Sequence, residues 1–124
     1  LKMATMKVPM QESEYNDPAA VKVVTDDNGY ALYFSRSLIP YPRNEVAGAK
    51  VYKHVGVYAY RRDFLLQYAA LEPTVLEQVE GLEQLRALQN GYKIKVLESD
   101  FQGIGIDTPE DLEAINKLFA EKNK

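Results

Sequence analysis

Residues 53–60 read Lys53-His54-Val55-Gly56-Val57-Tyr58-Ala59-Tyr60, and the period of that run is two. Successive side chains of a strand point to opposite faces. Val55, Val57 and Ala59 therefore share an inward face, and His54, Gly56, Tyr58 and Tyr60 share the other. His54 and Tyr58 lie roughly 13 Å apart along such a strand, with a notch at Gly56 between them. A glycine inside a strand marks either a bulge or a close approach by ligand or backbone, and both readings stay open. His54 is correspondingly either a packed, hydrogen-bonded histidine or one that faces a ligand.

The neighbouring segments set this strand in an alternating α/β pattern. Upstream, Val21-Lys22-Val23-Val24-Thr25, Asp26-Asp27-Asn28-Gly29 and Tyr30-Ala31-Leu32-Tyr33-Phe34 spell a hairpin around an Asn-Gly turn. Residues 1–8 read as a strand with no initiator methionine, so residues 1–124 are expected to be a fragment. In a whole enzyme residues 1–8 would lie mid-sheet, and the missing neighbours should leave an exposed edge or an added partner strand there. Residues 37–50, with Pro40, Pro42, Asn44 and Gly48, form a long loop of the kind that carries function. Downstream, the pattern predicts a helix over 61–71 that stops before Pro73. It predicts another over 75–90, with Leu76, Val79, Leu82 and Leu85 on the core face and Gly91 at its C-terminus. A strand over 92–97 and a loop with Gly103 and Gly105 follow. The last helix opens at Thr108-Pro109-Glu110-Asp111 and runs to about residue 121. The expected fold class is α/β, a mixed sheet with helices packed on it.

At 124 residues the chain is about one small domain. With 46% hydrophobic and 27% charged residues it can bury a modest core. The absence of cysteine excludes disulfides, thiolate metal sites and a cysteine nucleophile, and fits a reducing compartment. A net charge of −3 gives no reason to expect nucleic acid or an anionic membrane surface as partner. No apolar run approaches the roughly 18 residues of a membrane span. Lys2 and Lys7 interrupt a first segment ending at Pro9, which does not read as a signal peptide. The expected location is the cytoplasm.

Four further groups could carry chemistry. Arg36 and Arg43 flank a loop stiffened by Pro40 and Pro42, and a guanidinium fork suits a carboxylate or phosphate; both could equally be solvated surface cations. Glu83 sits at the margin of an apolar stripe beside Gln84. Its carboxylate either pairs with Arg86 or, with Gln84, accepts hydrogen bonds from ligand hydroxyls. Asp107 follows Gly103-Ile104-Gly105-Ile106 and precedes a helix for which Thr108 already serves as cap. A carboxylate left over in that position suits Mg²⁺. The sequence has no glycine-rich phosphate loop with a lysine, no second acid at a comparable junction and no nucleophile–base pair. Gly103-x-Gly105 also lacks the last glycine of a dinucleotide fingerprint. These residues make one side of an active site.

Read in order, six segments resemble the 3-deoxy-manno-octulosonate (Kdo) cytidylyltransferases, or CMP-Kdo synthetases. They are Met3-Ala4-Thr5, the run from Asn16 to Val24, Gly29 to Arg36 with Ile39-Pro40, His54 to Arg61, Leu82-Glu83-Gln84-Leu85-Arg86, and Gly105 to Leu112. The resemblance implies the C-terminal part of a Rossmann-like, nucleotide-diphospho-sugar-transferase-like fold, incomplete without its N-terminal half. It implies a cytoplasmic enzyme that transfers CMP from CTP to the anomeric hydroxyl of Kdo for lipopolysaccharide biosynthesis, with Mg²⁺ as cofactor. By the same resemblance Arg43, His54, Tyr58, Glu83 and Gln84 contact the sugar acid, Arg36 supports that side of the site, and Asp107 binds the metal. The family is dimeric, with the aromatic strand at 51–60 a candidate contact. Residues 1–124 would be the sugar-acid-binding and dimerisation half, inactive without the basic loop and acidic motif of the nucleotide-binding half. A synthetase for another sugar acid such as sialic acid, or a non-catalytic ligand-binding or dimerisation module, is the alternative.

Overall fold

The computed structural model describes residues 1–99. The helix expected over 108–121, the Gly103/Gly105 loop and Asp107 lie outside the described residues. Five strands form one mixed sheet: β1 (Met3–Pro9), β2 (Lys22–Thr25), β3 (Ala31–Ser35), β4 (Tyr52–Tyr60) and β5 (Lys95–Glu98), in the order β3-β2-β4-β1-β5. Three short helices complete the described elements: α1 (Arg62–Ala69), α2 (Val75–Glu80) and α3 (Leu85–Gln89). No helix among them is long and apolar enough to cross a membrane.

β1 pairs antiparallel with β4 and parallel with β5. The exposed edge or added partner strand expected at residues 1–8 is therefore corrected, since β4 and β5 of this chain pair β1 on both sides and the described sheet ends at β3 and β5. The composition of β1 explains its place. Met3 and Ala4 are wholly buried and Met6 and Val8 nearly so, and a strand apolar on both faces needs cover on both. Alternation sends Met3 to one face with Val23, Phe34, Phe64, Leu85 and Ile94, and Ala4, Met6 and Val8 to the other with Val55. Burying side chains such as Phe34 and Phe64 contributes about 1.5–3 kcal/mol each. The hairpin turn closes as its residues require, with Asp26 Oδ1 accepting the N–H groups of Asn28 and Tyr30, both at 2.9 Å, and Gly29 at φ 84°.

The single helix that periodicity predicts over 75–90 is two. Gly81 takes a left-handed φ of 67° and ends α2. Residues on either side of it then no longer share a helix face. Leu82 and Leu85 are buried as expected, but Leu76 and Val79 are exposed, Val79 to 78%. Across the break, Arg86 pairs bidentately with Glu77, Nε to Oε1 at 2.8 Å and Nη2 to Oε2 at 2.6 Å. The alternative pairing of Arg86 with Glu83 is thereby corrected. The tyrosine-rich face of β4, a candidate dimer contact on the sequence, is packed within the molecule: Tyr60 lies against Phe64 and Tyr68 of α1, ring centroids 6.5 and 5.9 Å away.

Candidate functional site

The site begins with an irregularity in β4. Ala4 pairs with Ala59 and Met6 with Val55, so Gly56, Val57 and Tyr58 stand opposite Thr5 alone. Such a bulge re-aims side chains. The bulge reading of Gly56 is thus realised, and the residue also lines a cavity of about 310 Å³. His54, Tyr58 and Tyr60 form the β4 wall, and Tyr68, Glu83 and Gln84 close it from α1 and the α2–α3 turn. The rings of His54 and Tyr58, far apart on an ideal strand, approach to 5.4 Å between centroids.

Burial sets the protonation state of the histidine and the tyrosines in this wall. His54 Nε2 lies 2.9 Å from Thr5 Oγ1, and Phe34 meets the ring edge-on at 4.9 Å. Burial lowers the imidazole pKa to about 4, so the ring is neutral at pH 7. Burial, then the neighbouring Tyr60, Tyr68 and Glu83, pushes the Tyr58 phenol well above its ordinary value, which keeps it a proton donor. Tyr68 donates to the Glu83 carbonyl at 2.9 Å and so ties α1 to the turn. Gln84 is 6% exposed, yet its amide makes no hydrogen bond to the described residues. An amide without partners among the described residues, at the wall of a cavity and not sealed from solvent, is a group that a ligand can satisfy.

The structure therefore brings His54, Tyr58, Glu83 and Gln84 together at one cavity. Neither arginine lines it. Arg36 is committed to main-chain carbonyls: Nε to Glu80 O at 2.7 Å, Nη1 to Pro18 O at 2.8 Å and Nη2 to Gly81 O at 3.0 Å. It clamps the turn that carries Glu83 and Gln84. Arg43 is exposed and lines a separate pocket of about 950 Å³ with Tyr15, Tyr41 and Lys50. No three metal-ligating side chains cluster among the described residues, and Asp107 lies outside them. Sequence reasoning missed Thr5, a strand threonine between apolar neighbours, and Tyr68, whose signal is its place one helical turn after Phe64.

A family model described as cytidylyltransferase matches residues 2–94. The chain belongs to the cytidylyltransferase family. Among curated relatives, the 3-deoxy-manno-octulosonate cytidylyltransferase of Fusobacterium nucleatum subsp. nucleatum is 51% identical over 124 residues, covering 99% of this chain and 50% of the relative. That of Solibacter usitatus is 52% identical over 118 residues, covering 94% and 47%. A solved structure of CMP:2-keto-3-deoxy-manno-octonic acid synthetase complexed with CTP superposes with a TM-score of 0.78 at 46% identity, over 98% of this chain and 50% of that one. The mixed sheet with its few helices is the fold of the matching half of that synthetase. The chain spans about half the length of the curated relatives it matches.

Proposed function

We propose that residues 1–124 form the sugar-acid side of a CMP-Kdo synthetase active site. In the reaction the anomeric hydroxyl oxygen of Kdo bonds to the α-phosphorus of CTP. The bond from that phosphorus to the bridging oxygen breaks, pyrophosphate leaves, and the hydroxyl proton passes to solvent. The observation that carries the reading is the convergence of His54, Tyr58, Glu83 and Gln84 on one cavity. A neutral imidazole, a phenol, a carboxylate and a free amide offer donors and acceptors in the mixture that a polyhydroxy acid demands. Their part is positioning, which holds the attacking hydroxyl in line and lowers the entropic barrier to transfer.

Arg36 acts through the turn it clamps. The described residues assign no arginine to the Kdo carboxylate, and Arg43 is a candidate only on the resemblance. Mg²⁺ belongs to this proposal through Asp107, the acid of this chain that would hold it; bound there it would offset charge on the triphosphate. Assembly as a homodimer and a cytoplasmic location complete the reading. The relatives carry the name of Kdo, which favours it over sialic acid.

Calorimetric titration of the chain with Kdo tests the assignment. His54→Ala and Tyr58→Phe should each weaken binding about tenfold, the worth of one or two hydrogen bonds, with unchanged circular dichroism. Unchanged affinity in both variants, or a folded chain that binds no Kdo, overturns it.

A further inference from the structure

The Thr5 hydroxyl is wholly buried and has three partners: Val57 O at 2.7 Å, His54 Nε2 at 2.9 Å and Val55 O at 3.1 Å. A hydroxyl has one proton to give. Carbonyl oxygens only accept, and a buried oxygen–oxygen separation of 2.7 Å is that of a hydrogen bond with its proton in place. If Thr5 gave its proton to the imidazole instead, two β4 carbonyls would face its lone pairs at close range. The proton of Thr5 is therefore committed to the backbone, and what it turns toward His54 is a lone pair. Nε2 must carry a hydrogen. Burial keeps the ring neutral at pH 7, so it has one N–H in all. The ionisable groups around it are Tyr58 and Tyr60 on β4, Tyr68 on α1, Glu83 on the α2–α3 turn and Lys7, its register partner on β1.

We propose that Thr5 is a positioning residue that locks His54 in its Nε2–H tautomer and leaves Nδ1 as a hydrogen-bond acceptor toward the cavity. Among the described residues Nδ1 has no partner, and it is not among the side-chain atoms both unpartnered and sealed from solvent. A lone pair at that point is satisfied by a ligand donor, such as a sugar hydroxyl, and repels a carboxylate. The tautomer thus sets polarity at one point of the cavity: a sugar acid enters with a hydroxyl toward His54 and its carboxylate elsewhere. This last step rests on the sugar-acid reading above; the tautomer does not.

His54 is the one histidine in the 124 residues, so a long-range ¹H–¹⁵N correlation of the ¹⁵N-labelled chain reports its tautomer without ambiguity. The expected result at pH 7 is the Nε2–H pattern. It should be kept in Thr5→Ser and lost to a mixture of tautomers in folded Thr5→Val, with Kdo affinity about tenfold weaker in the latter. Should Thr5→Val not fold, the wild-type and Thr5→Ser spectra decide the matter. An Nδ1–H pattern in wild type, or an unaltered Nε2–H pattern in folded Thr5→Val, overturns the lock whatever Kdo does. Kdo added to wild type should shift Nδ1 as an accepted hydrogen bond does. An Nε2–H pattern with Nδ1 indifferent to Kdo leaves the lock standing and overturns the sugar-acid reading of the cavity.

Discussion

An imidazole in water titrates near 6.5, whereas burial beside Phe34 and Tyr58 brings His54 to about 4. Between those values the unfolded chain binds a proton that the native chain refuses. Stability therefore falls as pH falls from 6.5 toward 4, by roughly 3 kcal/mol at the bottom of the window. Two carboxylates respond lower down. Glu77 is held below its ordinary 4.5 by its hydrogen bonds from Arg86. For Glu80, burial opposes ionisation, but hydrogen bonds from Ser35, the Arg36 N–H and Tyr33 outweigh it. Stability that these two provide is present above 4.5 and is lost as pH drops through their lowered values. Urea unfolding at pH 7, 6 and 5 should thus show a slope due to His54, flattened in His54→Gln. Equal slopes in the two proteins would place the imidazole in water.

At the scale of the element, the bulge in β4 and the break at Gly81 build the cavity, and each can be tested alone. A Cβ added at Gly56 meets nothing within 4 Å, so Gly56→Ala should fold with stability unchanged or raised by up to about 1 kcal/mol. The methyl would stand in the notch and should weaken Kdo binding about tenfold; unchanged affinity would show that the ligand does not seat there. Arg36→Ala removes the two bonds that hold the α2–α3 turn and a third to Pro18 O, for about 2 kcal/mol and a Tm lower by roughly 8 °C. Arg36→Lys should recover little, because one ammonium cannot span three carbonyls. An unchanged Tm would make the clamp decorative. The two features differ in how far the sequence betrays them. Alternation along 53–60 is a signal of period two, and it already put His54, Gly56, Tyr58 and Tyr60 on one face. The break at Gly81 is hidden, because Leu76, Val79, Leu82 and Leu85 keep helical spacing across it and spacing is blind to the sign of φ. The targets of Arg36 are hidden for a different reason: they are backbone carbonyls, which every sequence has.

On the scale of the whole molecule, the strand order β3-β2-β4-β1-β5 imposes a timetable. The β2–β3 hairpin closes across a turn of a few residues, an event of microseconds in isolated hairpins. β1 has no near partner in the chain. It must wait for Tyr52–Tyr60 on one side and for Lys95–Glu98 on the other, and contacts so distant in sequence make folding slow. Pulse-labelled amide exchange during refolding should therefore find Val24 and Tyr33, which face each other across the hairpin, protected before Met6, with simultaneous protection as the result that would refute this order. Until it is paired, the run Met3-Ala4-Thr5-Met6-Lys7-Val8 is a mostly apolar strand with two unsatisfied edges, the form in which chains find one another instead of themselves. A segment paired on both sides in the finished sheet is thus the most hazardous part of the unfinished one, and slow dilution or low temperature during refolding should raise the yield of native chain by giving β4 and β5 time to reach it first.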